Sequence, residues 1–255
     1  MRIVIKVGTS TLAHKTGRMN IFHVEELCKV ISDLKNRGNE VILVSSGAIG
    51  MGMGKLNISK RPSDIPTKQA CAAIGQCELM YTYDRLFSIY NHTTAQVLIT
   101  GSDLKSEERH KNFTNTLERL LELNTLPIIN ENDTVATEEI EIGDNDTLGA
   151  IVSVSVNADL LILLSDIDGL YTANPNEDKN AVLISEVEEI TDEIISLGKG
   201  KGSELGTGGM ATKLSAAKIA TDAGIDMIIA NGSEPMNIIK ILDGEKIGTL
   251  FKGKK

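Results

Sequence analysis

The chain has 255 residues, 41% of them hydrophobic and 24% charged, the balance of a globular chain folding as one large domain or two packed lobes. A net charge of −9 and the absence of Trp argue against a nucleic-acid surface, so any polyanion must be met by local cations. The longest apolar runs, such as Leu160 to Leu164, are too short to cross a bilayer, and a strand-like start leaves no room for a leader. Cys28, Cys71 and Cys77 lack metal-ligand spacing and read as reduced thiols, which places the chain in the cytoplasm as an expectation.

Taken in chain order, the first predicted strand is Arg2–Val7, an apolar run that ends on Lys6 and Val7 before Gly8-Thr9-Ser10. Residues 21–37 follow as a helix, because Val24, Leu27, Cys28, Ile31 and Leu34 fall on one stripe and Gly38 can stop it. Glu40–Ser45 is the second strand and runs into Ser46-Gly47. A long helix spans about 68–90, with Thr67 as its expected N-cap and Pro66 before it. Thr94–Ile99, a helix over 106–123, a strand over 125–130 and a helix over 146–156 continue the alternation. Leu160–Ser165 and Asp226–Asn231 complete the strands, with a helix over 210–223 between them. Residues 136–142 and 181–187 break the pattern and read as hairpin strands. Continuous apolar strands alternating with helices predict a mainly parallel sheet covered on both faces. A soft boundary near 157–159 divides a first lobe, 1–158, from a second, 159–255.

In open parallel sheets ligands collect beyond the C-terminal strand ends, so the residues following each strand carry the search for a site. Lys6 closes an apolar strand. It either snorkels to the surface or is held at the sheet edge as a cation for an anionic ligand, beside the N–H and O–H donors of Gly8-Thr9-Ser10. Gly206-Thr207-Gly208-Gly209-Met210-Ala211-Thr212-Lys213 feeds a helix. It is either a plain connector or a phosphate loop, in which helix N–H groups and Lys213 would meet the anion. Its order of parts is not that of a P-loop. Acidic residues crowd 131–146. Glu138, Glu139 and Glu141 read as a solvated hairpin, whereas Asp133 and the turn Gly143-Asp144-Asn145-Asp146 follow a buried strand and open a helix. An Asp in such a turn serves as an N-cap, or two such turns face one cleft and take an ammonium group or a metal. No calcium loop, G-x-S-x-G or paired-histidine motif is present, which sets aside calcium binding, a serine nucleophile and zinc chemistry.

These motifs in order, Ile5 to Ser10, Val44 to Ile49, Ile129 to Thr137, Gly143 to Asp146 and Gly206 to Lys213, resemble the glutamate 5-kinase family of the amino-acid kinase superfamily over essentially the whole chain. The lysine–glycine start and the late glycine loop are shared across the superfamily. The Asn-Glu-Asn-Asp and Gly-Asp-Asn-Asp elements point to the glutamate branch. The resemblance implies a three-layer α/β/α sandwich and transfer of the ATP γ-phosphoryl group, with Mg²⁺ carried on the nucleotide, to the side-chain carboxylate of L-glutamate, the first step toward proline. It implies that Lys6 and Lys213 stabilise the transferring group and Asp146 orients them. Ser46, Asp133 and Asn145 would hold glutamate, with Asp133 an acceptor for its α-ammonium and Asn145 an amide for a carboxylate. Ser165, Asp166 and the loop Thr207, Gly208, Gly209, Met210, Ala211, Thr212 and Lys213 would hold ATP, with Lys6 also touching it. No residue is assigned as a metal ligand. Expected partners are glutamate, proline as feedback inhibitor and further copies of the chain, with no nucleic acid or membrane. Many bacterial members carry a further C-terminal domain, and this chain is expected to lack one. A carboxylate acceptor needs no general base, in keeping with the missing histidine motif, but two anions must meet and need cations between them. The alternatives are a sister kinase acting on another carboxylate or carbamate, and a non-catalytic sensor on the same fold. Both lysines are present, which speaks against the sensor.

Overall fold

The computed structural model describes residues 1–14, 16, 18–135, 145–175, 177–198 and 209–254. The strands are β1 (Arg2–Val7), β2 (Glu40–Ser45), β3 (Thr94–Ile99), β4 (Leu126–Glu131), β5 (Leu160–Ser165), β6 (Glu186–Val187), β7 (Asp226–Asn231) and β8 (Thr249–Phe251). The helices are α1 (Thr9–Leu12), α2 (Ile21–Asn36), α3 (Ala48–Lys55), α4 (Ile65–Ser88), α5 (Gly101–Lys105), α6 (Glu107–Glu122), α7 (Asn145–Ser155), α8 (Asp192–Leu197), α9 (Met210–Asp222) and α10 (Asn237–Leu242).

One eight-stranded sheet, in the order β3-β4-β2-β1-β5-β7-β8-β6, runs through both halves of the chain. The pairs from β3 across to β7 are parallel; β7 meets β8 antiparallel, and β6 lies parallel to β8. β1 is central, flanked by β2 and by β5, so the chain winds outward in both directions from it. The C-terminal end of β1 is therefore the switch point where a crevice opens.

Alternation along the strands sorts the core into two layers. Ile3, Ile5 and Val7 of β1 join Leu160, Ile162 and Leu164 of β5 beneath Leu27 and Ile31 of α2, Leu79 and Tyr83 of α4 and Ile238 of α10. Val4 of β1 and Leu161 and Leu163 of β5 face the opposite layer, made of Phe113 and Leu117 of α6, Leu148 and Val152 of α7 and Leu214 and Ala217 of α9. Lys6 lies two residues beyond Val4, so a period of two carries its side chain to the α7 and α9 layer.

The structure departs from the sequence expectations in several places, among them the short elements α1, α5, α8, α10 and β8, which were not expected. The N-cap of α4 is Asp64, whose Oδ1 accepts the Thr67 N–H at 2.9 Å, and Pro66 sits inside the first turn, where a missing N–H costs nothing. β4 begins and ends one residue later than expected. Residues 181–187 form no hairpin strand: Leu183 makes one antiparallel bridge to Tyr171, and Glu186–Val187 pair parallel with β8. The helix α3, not among the expected elements, is glycine-rich and poor in intrinsic propensity. It is held by contact. A Cβ at Gly52 would lie 1.9 Å from Cys71 O and one at Gly75 only 1.7 Å from Ala48 O, so α3 and α4 meet backbone to backbone. The expected hairpin at 136–142 lies outside the described residues. Cys28 and Cys71 are buried, and burial raises the Cys28 thiol far above its ordinary value, as suits an inert core residue. Among the described residues, no helix is long and apolar enough to cross a membrane.

Candidate active site

The three charged side chains singled out in the sequence come together at the end of β1. Lys6 Nζ lies 2.5 Å from Asp146 Oδ1, and Lys213 Nζ donates to Asp146 Oδ2 at 3.0 Å. Each lysine thus holds one of the two Asp146 oxygens. Exposures of 8% for Lys6, 6% for Lys213 and 1% for Asp146 make this a buried cluster, which is tolerable only because both ammonium groups sit against the one carboxylate. Burial by itself would raise the Asp146 carboxyl; the Lys6 and Lys213 ammonium charges outweigh it and hold the group below the usual carboxylate range. Two ammonium groups on one carboxylate leave one positive charge over. The close approach has a local cause, since a Cβ at Gly149 would stand 3.4 Å from Lys6 Cβ and 3.5 Å from Leu161 Cδ1, so α7 rides low over β1 and β5.

Backbone donors surround this cluster. Helices α1, α3 and α9 each begin with glycine at the N-cap (Gly8, Gly47 and Gly209), and none is closed by a side chain. By contrast, α2, α4, α5, α6 and α8 are capped by Asn20, Asp64, Thr100, Ser106 and Thr191. Uncapped N-termini offer free N–H groups and the positive end of the helix dipole. A Cβ on Gly8 would be 3.5 Å from Lys6 Nζ, so that ammonium hangs directly over the start of α1. Gly47 needs its φ of 104°, a left-handed conformation that turns the chain from β2 into α3.

On the other side of Asp146 lies a neutral amide chain. Asn145 Nδ2 donates to Ser46 Oγ at 2.8 Å and to Asn130 Oδ1 at 2.9 Å. Asn130 Oδ1 also accepts the Glu131 N–H at 2.9 Å, and Asn130 Nδ2 donates to Gln76 Oε1 at 2.9 Å. Asn145 and Ser46 are half-exposed; Asn130 and Gln76 are buried behind them. Close by, the buried Ser45 hydroxyl pairs with Tyr83 OH at 2.9 Å, a second polar tie between α4 and the strand ends.

The remaining expected residues spread around this centre. Asp133 sits in the turn after β4, where burial pushes its carboxyl above the usual range against the opposing charge of Arg61. Among the described residues no hydrogen bond joins it to Ser46 or Asn145. Ser165, at the end of β5, is buried and donates to Asp166 Oδ1 at 3.1 Å, while Asp166 is exposed. The Ser165 carbonyl accepts the Gly232 N–H at 2.7 Å, which ties the ends of β5 and β7 together. Gly209, Met210, Ala211 and Thr212 form the start of α9, with Thr212 Oγ1 2.8 Å from Gly209 O and 3.3 Å from Asp146 Oδ2. Thr207 and Gly208, like Gly143 and Asp144, lie outside the described residues. Sequence reasoning missed Gln76, whose only signal is an amide interrupting the buried stripe Cys71, Ala72, Gly75, Leu79, Tyr83 of α4. It also missed Asp168, which accepts from Asn231 Nδ2 at 2.7 Å and Tyr171 OH at 2.9 Å across the β5 and β7 ends.

A buried, positively charged cluster thus lies beside the uncapped starts of α1 and α9 at the C-terminal edge of a doubly covered parallel sheet. Residues 1–231 match the family model described as the amino acid kinase family. Among similar proteins, "Glutamate 5-kinase" of Clostridium perfringens is 54% identical, covering 100% of this chain and 96% of its own length. "Glutamate 5-kinase" of Listeria monocytogenes is also 54% identical, over 100% of this chain and 94% of its own. That of Caldanaerobacter subterraneus is 52% identical over 98% of this chain but only 68% of its own length. The chain belongs to the amino acid kinase family, within its glutamate 5-kinase branch. Solved structures share the fold: the isopentenyl phosphate kinase of T. acidophilum superimposes with a TM-score of 0.68 at 17% identity over 99% of this chain and 100% of its own. The carbamate kinase of Giardia lamblia gives 0.68 at 18%, over 99% of this chain and 98% of its own.

Proposed function

We propose that this protein transfers the γ-phosphoryl group of ATP to the γ-carboxylate of L-glutamate, giving γ-glutamyl phosphate for proline synthesis. The observation that carries the reading is that Asn145 and Asp146, adjacent in the first turn of α7, face two different environments: Asp146 the pair of lysines, Asn145 the neutral amide chain. A phosphoryl donor and an amino-acid acceptor placed on those two sides would meet over the start of α7. We assign glutamate to residues 1–158, through Ser46, Asn145 and Asp133, and the nucleotide to 159–255, through Ser165, Asp166 and the start of α9.

In this reading Lys6 and Lys213 lower the repulsion between the carboxylate and the triphosphate and take up charge on the equatorial oxygens as the bond to the leaving oxygen loosens. Asp146 keeps both ammonium groups fixed in place, so little reorganisation is needed when charge shifts. The N–H groups at Gly8, Gly47 and Gly209 supply further donors. Both Asp146 oxygens are engaged by lysines, so Mg²⁺ fits best as a passenger on the triphosphate oxygens, where it would neutralise charge on the leaving group. Proline keeps the α-carboxylate and a cationic nitrogen, and would compete for the glutamate side.

The test is ATP consumption with and without L-glutamate, with the acyl phosphate trapped by hydroxylamine. Glutamate should be used in preference to L-aspartate and N-acetylglutamate, since acetylation removes a charge-assisted hydrogen bond worth roughly 1.5–3 kcal/mol. Equal turnover of N-acetylglutamate ends the assignment. Proline inhibition should be relieved by glutamate and not by ATP, and Asp133→Asn should weaken both amino acids together.

A further inference from the structure

The amide chain has a direction: the Glu131 N–H identifies it, and the acceptor on Gln76 at the other side of Asn130 helps to hold it. The Glu131 N–H can only donate, so the Asn130 atom it meets at 2.9 Å must be the carbonyl oxygen. That choice removes the usual ambiguity between amide oxygen and nitrogen from the whole chain. Asn130 Nδ2 must then face Gln76 Oε1, and the Asn145 atom 2.9 Å from Asn130 Oδ1 must be nitrogen. Asn145 Nδ2 has two hydrogens; one goes to Asn130 and the other to Ser46 Oγ at 2.8 Å. Both donors of Asn145 are therefore spent inside the protein, and what it retains for a ligand is an acceptor, Oδ1. Ser46, accepting from Asn145, retains its own hydrogen to donate.

Gln76 stands at the buried end of this chain at 7% exposure, and its Nε2 is buried without a partner among the described residues. An apolar side chain would avoid that unsatisfied donor, so stability alone does not favour an amide here. What the amide contributes is Oε1. With an acceptor opposite Asn130 Nδ2, the orientation demanded by Glu131 leaves no second donor stranded. Gly75, next in the helix, admits the start of α3 to backbone contact, and so seats Gln76 beside the ends of β2 and β4.

We infer that Gln76 is a specificity-determining positioning residue: through Asn130 it locks the Asn145 amide so that its oxygen, and not its nitrogen, reads the substituent on C2 of the acceptor acid. The inference rests on the glutamate reading above, and it reverses the expectation that Asn145 offers an amide donor to a carboxylate. An oxygen there favours a donor on C2, an ammonium most of all, and repels a group that can only accept. Ser46 supplies the donor for the neighbouring carboxylate.

The test uses the full-length protein and four acids that differ at C2: L-glutamate, 2-hydroxyglutarate, glutarate and 2-oxoglutarate. In the wild type kcat/KM should fall in the order ammonium, hydroxyl, then hydrogen or carbonyl. In Gln76→Met, of similar volume but without the acceptor, the preference for glutamate over glutarate should fall about tenfold or more, the scale of a lost charge-assisted bond. The change should appear in KM for glutamate with KM for ATP unchanged. Gln76→Glu, which keeps an acceptor against Asn130, should retain most of the preference. A wild type that uses 2-oxoglutarate as well as 2-hydroxyglutarate overturns the oxygen-outward assignment, whether or not any variant folds. A folded Gln76→Met protein with unchanged preference, or with equal losses for glutamate, glutarate and ATP, overturns the role of Gln76. A wild type inert toward glutamate sinks the functional reading and this inference with it; the other outcomes leave that reading standing.

Discussion

The two sides of Asp146 solve opposite problems. On one, three ionised groups are buried together and their charges do not cancel, leaving one positive charge. On the other, four side chains are joined by hydrogen bonds without a single formal charge. Charge redistributes during phosphoryl transfer, so the first side needs strong fields held rigidly. The acceptor acid must be recognised without its amino group reacting, and for that a neutral network of fixed direction can work beside the single carboxylate of Asp133. On the function proposed above, fixed cations would serve the side that reacts, and fixed amides the side that selects.

The sharpest way to break this contrast is Asp146→Ala, which leaves two buried ammonium groups facing each other. Removing one partner of a buried ion pair costs about 3–5 kcal/mol, so the urea midpoint should drop markedly and activity should vanish. Lys213→Ala leaves a balanced pair of Lys6 and Asp146. It should stay folded while kcat falls about a hundredfold or more, and a folded variant with near wild-type kcat would refute the role of Lys213.

Next in size is Gly75→Ala. Its methyl would overlap the Ala48 carbonyl, and forcing bulk into packed helices costs typically 1–3 kcal/mol. Because α3 follows Ser46 directly, KM for glutamate should rise more than KM for ATP. Equal changes in both would show that the glutamate side is not mechanically distinct. Ser46→Ala removes the hydrogen bond that Ser46 accepts from Asn145 and the one it would donate to the acid's carboxylate; the latter is worth roughly 1.5–3 kcal/mol, so KM for glutamate should rise about tenfold or more with stability nearly unchanged.

The smallest effect is on acid stability. The folded state holds the Asp146 carboxyl below the value near 3.9 expected of an unfolded chain. Its contribution is therefore complete above about pH 4 and is lost as pH falls through the lower native value. A carboxyl carbon titration of Asp146 by NMR checks this, and a midpoint at or above 4 would show that burial outweighs the lysines.

The parts that sequence made readable are those where local pattern and environment agree. Runs such as Leu160 to Leu164 are apolar on both faces and lie in the middle of the sheet, as such runs must. Lys6 and Lys213 could be singled out as cations at a strand end and a helix start, each with a plainer use open to it, and the family resemblance put Asp146 between them. Gln76 could not, since an amide in an apolar helical stripe looks like a tolerated exception until the backbone N–H of Glu131 gives it a direction. Helix α3 was hidden for a related reason. Its glycines disfavour a helix locally, and the contact that rescues it, with Cys71 and Gly75, comes from a helix many residues away. The strands β6 and β8 are short, and their pairing depends on each other rather than on their own patterns.

The position of β1 bears on how the molecule is made. Of these eight strands β1 leaves the ribosome first, and β2 can cover one of its edges soon afterwards. The other edge waits for β5, whose Leu160 pairs with Ile3 and Leu164 with Val7. At ordinary translation rates of about 5–20 residues per second, that edge stays open on the order of ten to thirty seconds. During that interval the nascent chain presents a bare apolar strand to its neighbours, the template on which chains pair wrongly. Cutting the gene between the two lobes would make the interval permanent, leaving β1 bare in one product and β5 in the other. β1 thus stays half-paired until β5 arrives, and halves made separately should need to be brought together while they fold.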